Sequence, residues 1–179
     1  MRITGGRFGG QRFTPPANKW PTRPTTDFSK EALYNILTNR IDFDEVRFLD
    51  LFGGTGNHCY ECISRGAQSA TYVDKFGPAV KFVKEMAIRL DIENEMNIYK
   101  MDVFKYIKTI NSTFNLIFAG PPYPLKNIPD IPKIIMDGHM LENPGILIVE
   151  HNPNENLQEM QGFQEQRKYG QTIFSFFQH

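Results

Sequence analysis

The stretch "AGPPYP" (119–124) holds the residues whose types and spacing most clearly suggest chemistry. Consecutive prolines fix the backbone, so carbonyl groups around Pro121 and Pro122 can accept hydrogen bonds from an exocyclic amine and turn its lone pair toward an electrophile. Tyr123 can stack on a base that has been drawn out of its surroundings. Taken alone, Pro-Pro-Tyr also fits a rigid turn, but its position after a predicted fourth strand favours an amine-modifying loop.

The loop begins with Gly120, where enzymes that methylate exocyclic amines normally carry Asp or Asn. An Asp would accept a hydrogen bond from the amine, orient it and offset the positive charge that develops on nitrogen. Removing one such preorganised group lowers the rate by a factor of ~10²–10³. We therefore expect a folded, cofactor-binding protein with weak methyl transfer, in which Gly120→Asp raises kcat at least ~10-fold.

The segment "FLDLFGGTGN" (48–57) has the pattern of a strand, a glycine-rich turn and the start of a helix. Glycines such as Gly54 and Gly56 let the backbone approach a ligand closely. A dinucleotide-binding fingerprint would need a further glycine where Cys59 stands, so NAD is disfavoured. The acid before the turn, Asp50, suits a cofactor that carries an ammonium group, as S-adenosylmethionine does.

Two further acids end the next two predicted strands. Asp74 lies ~24 residues after Asp50, close to where a carboxylate binds ribose hydroxyls in this architecture. Asp102 ends the third strand and could accept a hydrogen bond from an adenine amine. Each acid alone could equally cap a helix or end a strand in solvent. Because ligands of open α/β sheets bind at this edge, the joint placement of the three acids indicates a cofactor pocket.

Apolar periodicity predicts strands and helices in alternation. Strands are predicted at 46–51, 70–74, 97–101, 114–119 and 145–151, and helices from Thr26 or Asp27 onward, at 56–67, 78–90 and 103–109, and within 128–138. The last stretch predicts two strands that meet near Tyr169 and Gly170. This alternation indicates a doubly wound, Rossmann-like α/β domain with an antiparallel hairpin at one edge.

The charge of the chain is uneven along its length. The 179 residues include 20 Lys and Arg and 20 Asp and Glu, so the net charge implies no polyanion partner. The first residues are nevertheless rich in Gly, Pro and Thr, and they carry a series of cations before the first acid, Asp27: Arg2, Arg7, Arg12, Lys19 and Arg23. We predict a basic arm or irregular hairpin over 1–25 and one folded domain over 26–179.

Other classes of protein are disfavoured. No apolar run approaches the ~18–20 residues needed to span a bilayer, and the opening "MRITGGRFGG" lacks the apolar middle of a signal peptide. We therefore expect a cytoplasmic protein. Cys59 and Cys62 form a "CYEC", but a zinc site needs four ligands and the sequence has no second CxxC or HxxxH pair. We expect the two cysteines to be small residues on one face of a helix.

Together these segments resemble the RsmD-like methyltransferases, bacterial enzymes that methylate guanine N2 in small-subunit (16S) ribosomal RNA. The opening "MRITGGRFGGQRF" resembles the family's Arg, paired Gly and basic residues, and "RPTTDFSKEALYNIL" resembles its Arg-Pro-Thr-x-Asp segment and the helix after it. "LDLFGGTG" and "SRGA" resemble the cofactor motif, "FAGPPY" the catalytic loop and "RKYGQT" the C-terminal strands. The resemblance covers nearly the whole chain and departs from the family at Gly53, His58 and Gly120.

The resemblance implies a class I S-adenosylmethionine-dependent methyltransferase fold and a role for each matching residue. The implied cofactor-binding residues, from the methionine end to the adenine, are Asp50, Phe52, Gly54, Gly56, Asp74, Asp102 and Val103. The implied catalytic loop is Gly120, Pro121, Pro122 and Tyr123. The implied contacts to RNA phosphates are Arg2, Arg7, Arg12 and Arg23.

Two alternatives stay open. A methyltransferase for adenine N6 or for glutamine N5 would use a related Pro-Pro-Tyr loop, although the basic opening argues against it. A non-catalytic module that binds RNA and cofactor would keep the fold after losing the acid at position 120. The leading interpretation is methylation of rRNA guanine N2 by a monomer that acts on small-subunit RNA or on an assembling ribosomal particle.

Overall fold

The computed structural model describes residues 1–16, Trp20 and residues 25–179. These residues form one sheet from seven strands: β1 (Arg47–Leu51), β2 (Ser69–Asp74), β3 (Met96–Lys100), β4 (Phe114–Ala119), β5 (Leu141–His151), β6 (Phe163–Tyr169) and β7 (Thr172–Phe177). Their order across the sheet is β3-β2-β1-β4-β5-β7-β6. Strands β1 to β5 are parallel, whereas β7 lies antiparallel between β5 and β6.

The described residues also form helices α1 (Asp27–Thr38), α2 (Asn57–Ser64), α3 (Gly77–Leu90), α4 (Val103–Thr109) and α5 (Asp130–Asp137). The Thr26 side chain accepts a hydrogen bond from the Ser29 amide and so caps α1, as the sequence predicts. Pro78 lies in the first turn of α3, where a backbone donor is not needed. Local sequence signals therefore set the starts of these helices.

Alternate residues of each strand face opposite sides of the sheet, and each side has its own apolar core. In β1, Phe48 packs into the core shared with α1, α2 and α3, whereas Leu49 packs into the core shared with α4 and α5. Helices therefore cover both faces of a mostly parallel sheet. The predicted doubly wound α/β fold is confirmed, and so is its antiparallel hairpin at one edge.

The element bounds differ from the predicted ones mainly at two places. Helix α2 ends at Ser64, because Gly66, with φ of 116°, turns the chain toward β2. Strand β5 begins at Leu141, earlier than the predicted position 145. A bulge in the pairing of β4 with β5 accommodates the longer strand, since Phe114 pairs with Leu141 and Leu116 with Ile146.

Residues 1–13 fold into a hairpin, called here the amino-terminal hairpin, that packs on the domain. Its two sides are joined by a backbone bridge between Arg2 and Arg12. Ile3 and Phe13 are buried in the same core as α1, α2 and α3. Residues 1–13 of the segment 1–25 therefore form an irregular hairpin that belongs to the packed core.

Within the described ranges, no helix has the length and apolarity needed to cross a bilayer. Cys59 and Cys62 are buried free thiols on α2, in agreement with the predicted helix face. The same part of the chain holds no group of three or more His, Cys, Asp and Glu side chains arranged to bind a metal ion.

Candidate active site

A cavity of about 550 Å³ opens at the carboxyl ends of the parallel strands. The strand order reverses there between β1 and β4, so the loops after these strands diverge and leave a crevice for a ligand. Thr25 and residues near the ends of β1 to β5 form its walls. The sequence-predicted residues among them are Asp50, Phe52, Gly54, Asp74, Asp102, Val103, Gly120, Pro121, Pro122 and Tyr123.

The glycine-rich turn after β1 presents its backbone to this cavity. Phe52 and Gly54 have φ of 62° and 50°, in the left-handed region. The Tyr72 hydroxyl donates to the Gly54 carbonyl oxygen at 2.8 Å and holds the turn against β2. A β carbon on Gly53 would lie 2.5 Å from the Tyr72 ring. Glycine at position 53 is therefore what allows the close packing behind the turn.

Gly56 lies behind the turn and does not line the cavity, unlike the other glycine predicted to bind the cofactor. It precedes α2 with φ of 73°. A β carbon there would lie 2.7 Å from the Tyr60 hydroxyl. The structure therefore gives Gly56 a part in shaping the turn rather than a place at the cavity wall.

Asp50 is buried at the base of the cavity, with 1% of its surface exposed. The Cys59 thiol donates a hydrogen bond to its Oδ2 at 3.4 Å. Burial raises the pKa of Asp50 to about 8; the Cys59 bond opposes this shift, and the nearby carboxylates of Asp74 and Glu150 add to it. In this state Asp50 favours a neighbouring cation, because a positive charge would stabilise its ionised form.

Asp74 is fixed between two elements of the cavity wall. Its Oδ2 accepts a hydrogen bond from the Gly54 amide at 2.9 Å, and its Oδ1 accepts one from the Phe76 amide at 2.8 Å. The carboxylate therefore joins the glycine-rich turn to the start of α3. These two hydrogen bonds fix the orientation of the carboxylate at the cavity wall.

Asp102 lies at the opposite end of the wall and caps α4. Its Oδ1 accepts hydrogen bonds from the Phe104 and Lys105 amides at 3.1 and 3.3 Å. Its Oδ2 lies 3.8 Å from the Lys75 ammonium, near the solvent. The helix-capping alternative considered for this acid is thus observed, and Asp102 and Val103 still line the cavity.

The Pro-Pro-Tyr loop closes the other side of the cavity. The Gly120 amide donates to the Leu51 carbonyl oxygen at 3.1 Å, and the Leu125 amide donates to the Pro122 carbonyl oxygen at 2.8 Å. These bonds tie the loop to β1 and fold it back on itself. The Tyr123 hydroxyl points to Glu150, with 3.3 Å between its oxygen and Oε1.

His58, which departs from the family resemblance, is buried beside the loop. Its ring stacks on Phe118 with centroids 3.8 Å apart. Burial, and then the charge of Lys30, lowers the pKa of His58 to about 3, so the ring is neutral at pH 7. A β carbon on Gly120 would lie 3.1 Å from Phe118 Cε1. A side chain at position 120 would therefore press on this stacked pair.

Glu150 is a cavity residue that was not predicted from the sequence. It lies at the end of β5, with 6% of its surface exposed, and it lines the cavity with Thr25. Thr25 Oγ1 donates to Glu150 Oε2 at 2.5 Å. The available signal was the acid in "GILIVEH", since the reasoning applied to Asp50, at the end of β1, applies equally to this strand end.

Of the four arginines predicted to bind RNA, the three that the structure describes, Arg2, Arg7 and Arg12, do not line the cavity, and two of these three are in ion pairs. Arg2 is 2.7 Å from Glu31, and Arg7 is 2.6 Å from Glu95. Arg12 is exposed on the amino-terminal hairpin. Arg23 lies outside the described residues.

Comparison with known proteins gives one family and several relatives. Residues 1–178 match the model of the family described as Conserved hypothetical protein 95. YlbH of Bacillus subtilis, named provisionally as an rRNA methyltransferase, is 31% identical over 165 residues, which cover 90% of this chain and 88% of that protein. Ribosomal RNA small subunit methyltransferase D of Buchnera aphidicola is 26% identical over 156 residues, which cover 87% of this chain and 78% of that protein.

Solved structures share the fold. A hypothetical protein of Thermus thermophilus is 25% identical and has a TM-score of 0.85. The match covers 100% of this chain and 99% of that protein. An RNA methyltransferase of Salinibacter ruber, solved with S-adenosyl-L-homocysteine, is 11% identical and has a TM-score of 0.68, covering 87% of this chain and 93% of its own. The second likeness is one of fold alone.

Proposed function

The chain belongs to the family described as Conserved hypothetical protein 95, which is RsmD-like, and from this membership we propose that it transfers a methyl group from S-adenosylmethionine to N2 of a guanine in small-subunit ribosomal RNA. The observation that carries the proposal is one cavity in which an acid-lined glycine-rich turn faces a Pro-Pro-Tyr loop. Relatives named for rRNA methylation support the substrate class. Guanine N2 rests on the resemblance of the loop and of the opening segment.

The chemistry of the cavity fits S-adenosylmethionine, which supplies an electrophilic methyl group on a sulfonium. The volume of about 550 Å³ lies within the usual range for small-molecule sites. The ligand carries an ammonium and a sulfonium, and the wall provides the carboxyl groups of Asp50, Asp74 and Glu150. The proposed cofactor contacts, from the methionine end to the adenine, are Asp50, Phe52, Gly54, Asp74, Asp102 and Val103.

The target base is proposed to enter on the opposite side, against the loop. The hydrogen bonds that fix this loop support the proposal that carbonyl groups around Pro121 and Pro122 accept hydrogen bonds from the exocyclic amine. The Tyr123 ring is proposed to stack on the base, which must leave its own stack to reach the cavity. Such positioning shortens the approach of the nitrogen lone pair to the methyl carbon.

RNA is proposed to approach along the amino-terminal hairpin. Arg12 is exposed there, whereas Arg2 and Arg7 would exchange their carboxylate partners for phosphates. Arg23 is included on its sequence position alone. The proposed substrate is small-subunit RNA or an assembling ribosomal particle, on which the protein acts as a cytoplasmic monomer.

Tritiated S-adenosylmethionine, incubated with small-subunit RNA or with particles that lack the modification, tests this proposal. Digestion to nucleosides should place the label in N2-methylguanosine. Label in N6-methyladenosine would overturn the guanine assignment. Cofactor and RNA binding without any transfer would favour the non-catalytic module instead.

A further inference from the structure

Glu150 lies beside position 120, on the neighbouring parallel strand. In the register of β4 and β5, Ala119 pairs with Val149, so Gly120, the first residue after β4, lies next to Glu150, the following residue of β5. Phe118 and Ile148, two residues before each of them, pack into the same core, which puts positions 120 and 150 on one face of the sheet. A side chain at position 120 would therefore emerge next to the Glu150 side chain.

Thr25 and Tyr123 are two of the residues that contact the Glu150 carboxyl group. Thr25 Oγ1 donates to Oε2 at 2.5 Å, and the Tyr123 hydroxyl faces Oε1 at 3.3 Å. The first contact is short and the second is long for a hydroxyl donor. The weaker contact lies on the side of the Pro-Pro-Tyr loop, so a stronger donor that enters against Tyr123 can replace it.

We propose that Glu150 supplies the carboxylate that Gly120 lacks, accepting hydrogen bonds from the N2 amine and N1–H of the target guanine. This inference rests on the proposed function. Glu reaches about 1.5 Å further than Asp because it has one more methylene, which partly compensates for its origin on the adjacent strand. Both Glu150 and Gly120 line the cavity, so no rearrangement of the sheet is needed.

The same contact selects the base. Guanine presents two adjacent donors, N1–H and an N2 hydrogen, and a carboxylate is an acceptor-only group with two oxygens. Adenine places an unprotonated N1 beside its amine, so one carboxylate oxygen would face a lone pair. Glu150 therefore favours guanine over adenine, a distinction that the backbone carbonyls of the loop cannot make alone.

The chemical step balances without another reactant. The N2 lone pair forms the new N–C bond, the S–C bond breaks with its electron pair moving to sulfur, and the surplus proton on N2 leaves to water. Glu150 orients the amine and stabilises the positive charge that develops on it. The native protein is then active, in contrast to the weak transfer expected from Gly120 alone.

A double-substitution cycle on kcat, measured with small-subunit particles, tests the inference. Glu150→Gln should lower kcat by ~10²–10³. Gly120→Asp in the native background completes the cycle and should raise kcat far less than the same change does in the Glu150→Gln protein, since the carboxylate is already present. Gly120→Asp made in the Glu150→Gln protein should raise kcat at least ~10-fold, a coupling expected only if the two carboxylates do the same task.

Controls separate this role from folding. Glu150→Gln should keep the S-adenosylmethionine affinity and the unfolding transition of the native protein. Glu159 is an exposed acid beyond the same strand, and Glu159→Gln should keep these two properties and the native kcat. If Glu150→Gln does not fold, Thr25→Val removes the hydroxyl that holds Oε2, and Thr25→Ser retains it. Only the Val variant should then lose kcat.

Three outcomes of these measurements would overturn the inference. Native kcat in Glu150→Gln, or in Thr25→Val where Glu150→Gln does not fold, would overturn the inference. So would a rise of ~10-fold or more on Gly120→Asp in the native background, which is the expectation from the sequence. A protein that methylates no guanine, either as it stands or as Gly120→Asp, would refute the proposed function and this inference with it. This outcome can be told apart from a failure of the Glu150 inference alone, because it appears in proteins that still carry Glu150.

Discussion

Glu61 and Asp50 are both buried carboxyl residues on neighbouring elements, α2 and β1, but their surroundings are opposite. Glu61 accepts from the Lys30 ammonium at 2.8 Å, the Arg65 guanidinium at 2.9 Å and three donors of the amino-terminal hairpin, on Thr4 and Gly5. Asp50 accepts one thiol hydrogen bond among the described residues and faces other carboxylates.

The two carboxyl groups differ accordingly in their pKa. Burial acts to raise the pKa of Glu61, but the charge of Lys30 and hydrogen bonds from Lys30 and Thr4 outweigh burial and lower it. Among the residues that the structure describes, no cation compensates the burial of Asp50 in this way, and its pKa rises to about 8. A buried acid that has its cations is an anchor for the fold, whereas one surrounded by acids at a cavity is suited to a cationic ligand. The contrast separates the structural region from the candidate site.

The largest effect is expected at the anchor. Glu61→Gln would leave the buried Lys30 ammonium without its carboxylate, and breaking one partner of a buried pair lowers the free energy of unfolding by about 3–5 kcal/mol. Urea denaturation measures this loss. Glu31→Gln, which breaks the exposed pair with Arg2, should cost about 0–1 kcal/mol. A loss at Glu61 as small as that at Glu31 would remove the distinction between the two regions.

The next effect is expected at the cavity. Asp74→Ala removes the proposed acceptor for the ribose hydroxyls and should weaken S-adenosylmethionine binding by ~1–3 kcal/mol, because buried polar partners are left unsatisfied. Isothermal calorimetry measures the change. Asp137→Ala, at the exposed end of α5, is the control and should bind as the native protein does. Equal affinities for the two variants would argue against the assigned pocket.

Asp50 should make stability depend on pH. In the cofactor-free protein its pKa is raised to about 8 from 3.8, so the folded state keeps a proton that the unfolded chain has lost. The free energy of unfolding therefore falls as pH rises through this window. The pKa of His58 is lowered from 6.5 to about 3, so its contribution to the free energy of unfolding rises with pH below pH 6.5. In that range it opposes the contribution of Asp50. Above pH 6.5 the His58 contribution no longer changes with pH, whereas the Asp50 contribution still does.

Replacing Asp50 by Asn should remove this contribution. We compare the free energy of unfolding of Asp50→Asn with that of the native protein. The variant minus native difference should be at least about 1 kcal/mol larger at pH 8 than at pH 6.5. Urea denaturation at the two pH values gives the comparison. If the variant minus native difference in free energy of unfolding is the same at both pH values, Asp50 is already ionised at pH 6.5 in the folded protein.

The smallest effect concerns the amino-terminal hairpin, which the Glu61 anchor holds in place. Removing one cation that binds a phosphate should reduce the slope of log affinity for RNA against log salt by about one unit. Arg12→Ala should show this reduction in a filter-binding titration, and Arg7→Ala should show less, because Arg7 already pairs with Glu95. Slopes that match the native slope in both variants would leave the hairpin a purely structural element.

Much of the fold follows from local sequence. Several signals act within a few residues and can therefore be recognised in the sequence. They are the strand periodicity, the Thr26 cap, Pro78 in the first turn of α3 and Gly66 after α2. The acids near the carboxyl ends of β1 and β2 were predictable for the same reason, since parallel strands bring these ends to one edge of the sheet. The resemblance to a family added roles for the residues of the loop.

What the tertiary structure alone decided depends on contacts between distant residues. Glu61 meets Thr4 across 57 positions, and only the packing of the hairpin on α2 makes that pair. Glu150 lies beside Gly120 because of the register of β4 and β5, which the sequence of either strand does not specify. The missing acid at position 120 was evident from the sequence, but the carboxylate next to it required the sheet, because side chains from separate strands become neighbours only when pairing fixes their register.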